Sequence, residues 1–458
     1  MELVWILLVL LIVITILPIW YEMKRKEFDI LNLKTLFIIY YSGQFVIYTF
    51  YLIVSDRPFV PWLSIYDSEN INYYIKALLL ANIGILFFYI GYYSKIGHIL
   101  KNSLPSFPSW TSVNVYLISL VYIFIGLEIL GIFLNKHGGL VAFFDQLGSW
   151  RSEGLVGEGI FTFPVNTILT TGTLILFSHS SLKKITGLRS VIIYLMVLLS
   201  WIPTLILGFR LTFAIIFLQF VTCWHYLKST ITPKKLIAVL GIVVILMTGY
   251  GIIRSYIELF GVTGVTKVSM LTEDADLYSI LVSPMITRTH STEVVVATLQ
   301  AIENGKSTFK SIHHSIIEAI TIFIPHAVWE DKPKGQMLDF GSEVIGDYLW
   351  WRGKGIMPDA TGGTSPTAVG FFYWYLGSLG VAFGMFVIGV LYKAAYKYLT
   401  VNRNDPSRVI IYSVIAGTLV AAAESPQDSF NSLVPKLILS LITMFLITAK
   451  FGVTRHVS

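Results

Sequence analysis

Residues 3–20 read LVWILLVLLIVITILPIW and are followed at once by YEMKRK, residues 21–26. A charge-free run of this length is what a helix needs to cross roughly 30 Å of hydrocarbon, since each residue advances it about 1.5 Å. Nothing positive precedes the run, Lys24, Arg25 and Lys26 follow it, and no small-residue cleavage site is visible. It therefore reads as a retained span rather than a removed secretory signal. Working outward, ten further apolar runs are centred near residues 35–54, 75–94, 113–134, 160–179, 191–208, 211–227, 236–253, 368–392, 408–424 and 432–449.

The expectation is an all-α polytopic integral membrane protein with about eleven transmembrane helices. Composition agrees: 55% of the residues are hydrophobic and 13% charged, and the mean hydropathy is +0.71, which excludes a soluble globular domain. Residues 1–253 hold eight spans, 254–365 form one large polar insert, and 366–458 hold three more spans and a short tail.

Lysine and arginine test the alternation, because they accumulate in cytoplasmic loops. Segments 22–34, 95–112, 181–190, 228–235, 393–408 and 450–458 carry about one basic residue in four positions, and the opposite set only about one in thirteen. The reading puts the amino terminus outside, the carboxyl terminus in the cytoplasm, and the insert outside. The net charge of +6 is then a topology signal and gives no support to nucleic-acid binding. Cys223, the single cysteine, falls in the seventh span, which leaves neither a disulfide nor a thiolate metal site. No period of 20 to 50 residues marks a tandem array.

The insert is where polar chemistry has room, and a loop held by a rigid scaffold is a usual place for it. Ser291 to Asn304 reads as a helix with Val294, Val295, Leu299 and Ile302 on one stripe and Gly305 as its stop. Ile312 to Ile324 reads as a second, ended by Pro325, with isoleucines at helical spacing and His313, His314 and Glu318 elsewhere on the wheel. At this length it is too short to span, so it is expected to lie in the interface. Trp329, Trp350 and Trp351 favour the same level.

Arg210 stands in LGFRLTF, where two spans meet almost without a loop. Arg254 ends the eighth span at the same surface, and Arg288 and Arg352 lie in the insert. The guanidinium fork suits bidentate recognition of phosphate or diphosphate, so the four suggest a pyrophosphate site. Arg151, in GSWRSEGLVGEG, sits in a glycine-bearing loop that can close over a substrate. Asp274 and Asp276 in TEDAD read as a solvated acidic pair, and no metal site is expected. Glu128 and Glu424 lie within or at the edge of spans, where an ionisable group is a functional candidate by default.

The string FIPHAVWEDKP, residues 323–333, resembles the signature of Wzy-type O-antigen and oligosaccharide repeat-unit polymerases. The Gly208-Phe209-Arg210 hairpin and the GGTSPTAVGFFYWYLGSLG entry to the next span, residues 362–380, are similar to that family too. His326 stands where arginine is common in the string. The resemblance implies a GT-C-type, lipid-donor glycosyltransferase that needs no cofactor and joins undecaprenyl-diphosphate-linked glycans, donor to acceptor, among membrane lipids at the outer face. A chain-length-regulating co-polymerase is the partner it implies.

Such chemistry needs cations for the leaving diphosphate and a base for the acceptor hydroxyl. Candidate bases are His326 first, then Asp339 and Glu343, with His290, His313 and His314 behind them. Lys332 and Lys334 share the string and join the phosphate-binding set. The rivals are an O-antigen ligase and a flippase or transporter of lipid-linked glycans. Transporters place charges near the bilayer midplane, whereas here the cations are read at one surface. A topology reporter fused after Lys334 is expected outside the cell and one fused after Arg403 inside; both on one side would break the alternation.

Overall fold

The computed structural model describes residues 1–56, 63–108, 110–145, 159–183, 185–206, 210–236, 290–311 and 365–449, with scattered positions between them such as 340 and 343. Among these residues the fold consists of helices and connecting turns, with no strand. In chain order the helices are α1 (Glu2–Lys24), α2 (Leu33–Ser55), α3 (Ile71–Tyr93), α4 (Ile96–Leu100), α5 (Ser112–Lys136), α6 (Gly139–Asp145), α7 (Gly159–Leu182), α8 (Leu188–Ile206), α9 (Arg210–Leu227), α10 (Ser291–Glu303), α11 (Ala368–Val401), α12 (Pro406–Leu419) and α13 (Pro426–Thr448).

Nine of the described helices are long and apolar enough to cross a membrane. The run expected at 211–227 is present as a shorter apolar helix, Thr212–Leu227. The run expected at 236–253 lies almost wholly outside the described residues.

Local sequence explains where the helices begin and stop. Asn32 accepts from the Lys34 amide at 3.0 Å to start α2, Asp405 accepts from the Ser407 amide at 2.9 Å with Pro406 opening α12, and Pro426 opens α13. Each supplies an acceptor to orphan amides or removes one. At the end of α1, Lys26 adopts φ 59°, and its amide and that of Glu27 donate to the Met23 and Glu22 carbonyls. This is the helix stop that glycine usually provides.

Burial sorts the helices into layers. Most of α12 and α7 is inside the protein, while α1, α8 and α13 present most of their apolar surface outward. Leu3, Ile6, Val9, Val13, Ile16 and Leu17 of α1 are all exposed, as side chains facing lipid would be.

The tightest crossings are made by glycine. A Cβ on Gly91 of α3 would lie 2.1 Å from the Phe386 carbonyl of α11, and one on Gly389 of α11 would lie 2.1 Å from the Phe88 carbonyl of α3. A second pair repeats the device: Gly126 of α5 meets Leu169 of α7, and Gly172 of α7 meets Tyr122 and Ser119 of α5. In lipid, apolar side chains gain little by leaving their surroundings, so close van der Waals contact between backbones carries association.

These pairings also fix direction. Asn82 donates to the Leu7 carbonyl and Tyr89 to the Thr15 carbonyl, which makes α1 and α3 parallel. Tyr41 donates to the Ala81 carbonyl and Asn32 to the Tyr92 hydroxyl, which makes α2 antiparallel to α3. The alternation that the charge pattern requires is therefore built into the packing of these helices.

Helix α10 belongs to the 254–365 insert, yet it is embedded in the bundle. Ser291 through Thr298 are all buried, Glu293 and Thr298 included. Thr292 hydrogen-bonds Thr49 of α2 at 2.8 Å, Ser291 donates to Gln44 of α2, Gln300 donates to Asn70 at 2.7 Å, and Lys76 of α3 pairs with Glu303. Gln44 lies in Gly43–Ile47, a π-helical stretch near the middle of α2, so the start of α10 reaches the level at which α2 is half traversed. The apolar stripe read from the sequence is present; the opposite face is covered as well, by polar contacts. Of the second expected helix only His313, Ile317 and Thr321 are described, and these are helical.

Helix α11 is broken at Leu376 and Gly377, the latter at φ 62°. A Cβ at Gly380 would meet the Phe372 carbonyl at 2.2 Å. The carbonyl of Trp374, freed by the break, accepts from the Lys310 amide at 3.0 Å.

Gly389→Leu is expected to destabilise the protein by ~3 kcal/mol or more through overpacking against backbone that cannot yield. Gly131→Leu, on an open stretch of α5, should leave thermal unfolding in detergent unchanged. Equal melting of both variants would count against glycine contact as the crossing device.

Candidate functional site

A cavity of about 200 Å³ lies between α7, α9, α12 and α13. Helix α7 contributes Thr162, Asn166, Thr167, Thr170 and Thr171, α9 contributes Thr212 and Gln219, and α13 contributes Ser432 and Lys436. Polar side chains spaced three and four apart on α7 fall on one face of the helix, which is why one side of an otherwise apolar span turns toward the cavity.

Lys436 is the only charged residue among those lining the cavity. It stands ten residues after Pro426 and twelve before Thr448, about 15 Å from the nearer end of the helix at 1.5 Å per residue. It makes no ion pair or hydrogen bond through its ammonium group among the described residues. A lysine at the centre of a span costs about 2.5–3.5 kcal/mol on insertion scales, so a position of this kind is a functional candidate by default.

Three neighbours are under-used in the same way. Asn166 Oδ1, Thr167 Oγ1 and Thr170 Oγ1 are buried without a hydrogen-bond partner among the described residues. Buried polar atoms are ordinarily satisfied. An ammonium, an amide and two hydroxyls around one cavity offer what an oxyanion carrying hydroxyl groups would need: positive charge, donors and an acceptor.

The cavity contrasts with Asp29 at the other end of the bundle. That buried carboxylate accepts from Tyr226 at 2.8 Å, from Tyr396 at 2.9 Å and from the Leu31 amide at 3.1 Å. A fully satisfied acid of that kind ties helices together and has little capacity left for a ligand.

The residues read as functional from the sequence fall in different places. Arg210 is the first residue of α9, two before Thr212 of the cavity. Glu343 accepts from Ser307 at 3.2 Å and is paired with Lys310, while Ser307 accepts from the Trp374 indole at 3.0 Å; Phe340 packs edge-on against the same indole. His290 is half-buried at the N-cap of α10, so it stands beside α2 in the bundle. His326, Asp339, Arg151, Arg254, Arg288, Lys332, Lys334, Arg352, His314, Asp274 and Asp276 lie outside the described residues.

Glu424 accepts from Tyr40 of α2 through its side chain and from Ser365 through its carbonyl, and Glu128 is exposed on α5. Cys223 is buried in the core. Among the described residues no three histidine, cysteine, aspartate or glutamate side chains gather as a metal site would require.

The sequence reading put its candidate cations at one surface and did not weigh Lys436, which lies inside the last span. The rule that singled out Glu128 and Glu424 applies equally to a lysine in LVPKLILSL, residues 433–441, inside the last span. What could not be read was that five helix positions three and four apart on α7 would face that lysine.

No protein-family model, curated protein or solved structure matches this chain.

Lys436→Met removes an intramembrane charge that has no ion-pair partner among the described residues while keeping an unbranched side chain of similar length. Thermal stability in detergent is expected to rise, on the order of 1–3 kcal/mol, because a lone charge is held there at a cost. A lower melting temperature for Lys436→Met would mean that the lysine serves packing.

Proposed function

We propose that the chain is a membrane glycosyltransferase that polymerises undecaprenyl-diphosphate-linked oligosaccharide repeat units, at the outer face of a bacterial cytoplasmic membrane. The observation that carries the reading is Lys436, a cation without an ion-pair partner among the described residues, facing a polar cavity within the span layer. The leaving group of such a transfer is a lipid diphosphate, and a cation held in low dielectric stabilises it far more than one in water.

In this reading the diphosphate lies against Lys436 and the α7 hydroxyls, and Arg210, at the start of the next cavity helix, closes on it from the insert end. Arg151, Arg254, Arg288, Arg352, Lys332 and Lys334 are the cations this reading assigns to the second lipid diphosphate. The acceptor hydroxyl loses its proton to His326, with Asp339 or His290 as the next choice, and the new glycosidic bond forms as the bond to the donor diphosphate breaks. Glu343, paired with Lys310, holds the insert against Trp374 and ranks below them as a base. Amino terminus outside and carboxyl terminus in the cytoplasm put the insert on the side where the glycans are joined.

A flippase or transporter of lipid-linked glycans is the second reading. Two observations favour it: Lys436 lies near the middle of its span, and α11 is discontinuous at Leu376 and Gly377, both features of transport pathways. An O-antigen ligase shares the enzymatic requirements and differs in the acceptor.

Purified protein in proteoliposomes separates these readings. Polymerase activity predicts a ladder of elongated lipid-linked glycans on a gel. Lys436→Gln and Arg210→Lys should each lower elongation by roughly tenfold or more, because one loses the charge and the other the fork. His326→Gln should bind substrate and turn over little. Transfer of labelled lipid between leaflets without any ladder would replace the polymerase by a flippase, and elongation at parental rates in all three variants would remove this cavity and base from the mechanism.

A further inference from the structure

The end of the bundle opposite the insert holds a second cleft, of about 740 Å³, lined by Glu22, Lys26, Glu27, Asp29, Tyr92, Tyr93, Lys393, Tyr396, Lys397 and Arg403 among others. Its charges do not cancel. Glu22 is taken by the buried Lys34. Asp29 is taken by two tyrosine hydroxyls and a backbone amide, with Arg403 at 3.8 Å. Glu27 is the one carboxylate of the lining left to face Lys26, Lys393 and Lys397, none of which makes an ion pair among the described residues.

Lysines at this end are expected from topology alone, since basic residues gather in the loops of one side. Two features go beyond that. Lys393 is set eight residues back from the end of α11, half-buried, with its ammonium 4.6 Å from the Tyr92 ring and 5.9 Å from the Tyr93 ring. Lys26 occupies a left-handed position, φ 59°, that glycine would take more easily. The surrounding field is positive enough to reach a neighbour: the exposed imidazole of His98 on α4 is held below its ordinary pKa by desolvation and then by Lys397, Lys393 and Lys101.

The rim of the cleft is made for a membrane surface. Tyr93 of the lining is exposed, and so are Trp20 and Tyr21, which precede Glu22 of the lining on α1; Lys24 and Arg25 lie over the Trp20 and Tyr21 rings at 5.5 and 4.9 Å. Aromatic rings with a polar edge collect at the headgroup level.

We propose that this cleft is a binding site for the phosphate-bearing headgroup of an anionic phospholipid, held by Lys393 and Lys397 with Lys26 at the rim. The phosphate oxygens accept from the ammonium groups, and the acyl chains run outward along α1 and α3. The inference is independent of what the opposite end of the protein does.

The test uses the full chain in neutral detergent, with short-chain phosphatidylglycerol as probe, short-chain phosphatidylcholine as the uncharged comparison and inorganic phosphate as the soluble one. Phosphatidylglycerol should raise the melting temperature, and Lys393→Gln with Lys397→Gln should weaken its apparent affinity by roughly tenfold or more, as the loss of two cations near a headgroup implies. A control that removes Lys95 and Lys183, exposed charges at the same end and outside the cleft lining, should respond like the parent.

An equal response in the two double variants would overturn the site, because the attraction would then be one of general charge. Stabilisation by phosphatidylcholine to the same extent would overturn it too. Inorganic phosphate that stabilises alone and blocks the lipid would overturn the lipid assignment and make the ligand a soluble phosphate. Should the Lys393 and Lys397 variant not fold, flotation of the parent with phosphatidylglycerol vesicles, compared with Lys26→Gln, carries the same decision.

Discussion

The contact on which the architecture depends is backbone against backbone at Gly91 and Gly389, where α3 and α11 approach too closely for any Cβ. Helix α3 also receives α1 through Asn82, α2 through Tyr41 and α10 through Lys76, so this crossing sets the distance to which three other elements are fitted. In water a core of this size would be gathered by the exclusion of apolar surface. In hydrocarbon that force is absent, and dispersion between close backbones, with a few interhelical hydrogen bonds, has to serve instead.

Polar groups then fall into two kinds according to whether the packing satisfies them. Asp29, and Thr49 with Thr292, are complete: each finds a partner, and each ties together elements far apart in sequence. The cavity around Lys436 is incomplete, with a cation that makes no ion pair and three buried polar atoms that find no hydrogen-bond partner among the described residues. Both kinds are costly to bury, and only the first returns stability. A fold that keeps the second kind keeps it at the expense of stability, which is the usual mark of a binding site.

The insert and the bundle are less separate than a loop on a scaffold. Helix α10 fills the space between α2, α3 and the first turn of α11, where Gly370 lets Thr298 approach. The break in α11 presents the Trp374 carbonyl and indole to Lys310 and Ser307, and through them to Glu343. Movement of the insert would therefore be felt at the crossing of α3 and α11, and His290 would move with the start of α10.

The sequence by itself determined the class of the protein and the position of nearly every described span, because length and apolarity are local properties read directly by a bilayer. It also determined the helix at 291–303 and, through Asn32, Pro406 and Pro426, several helix starts. Only the tertiary structure decided that α10 is buried on its polar face as well, since Ser291, Thr292 and Glu293 look like surface residues until Gln44 and Thr49 of α2 are set beside them. It decided that Lys436 and the α7 hydroxyls share one cavity although more than 260 residues separate them, and that Lys26, Lys393 and Lys397 share another. Such neighbours are chosen by which helices cross and in which direction, and that depends on the fit of glycine to backbone across the whole bundle, which no stretch of the chain carries alone.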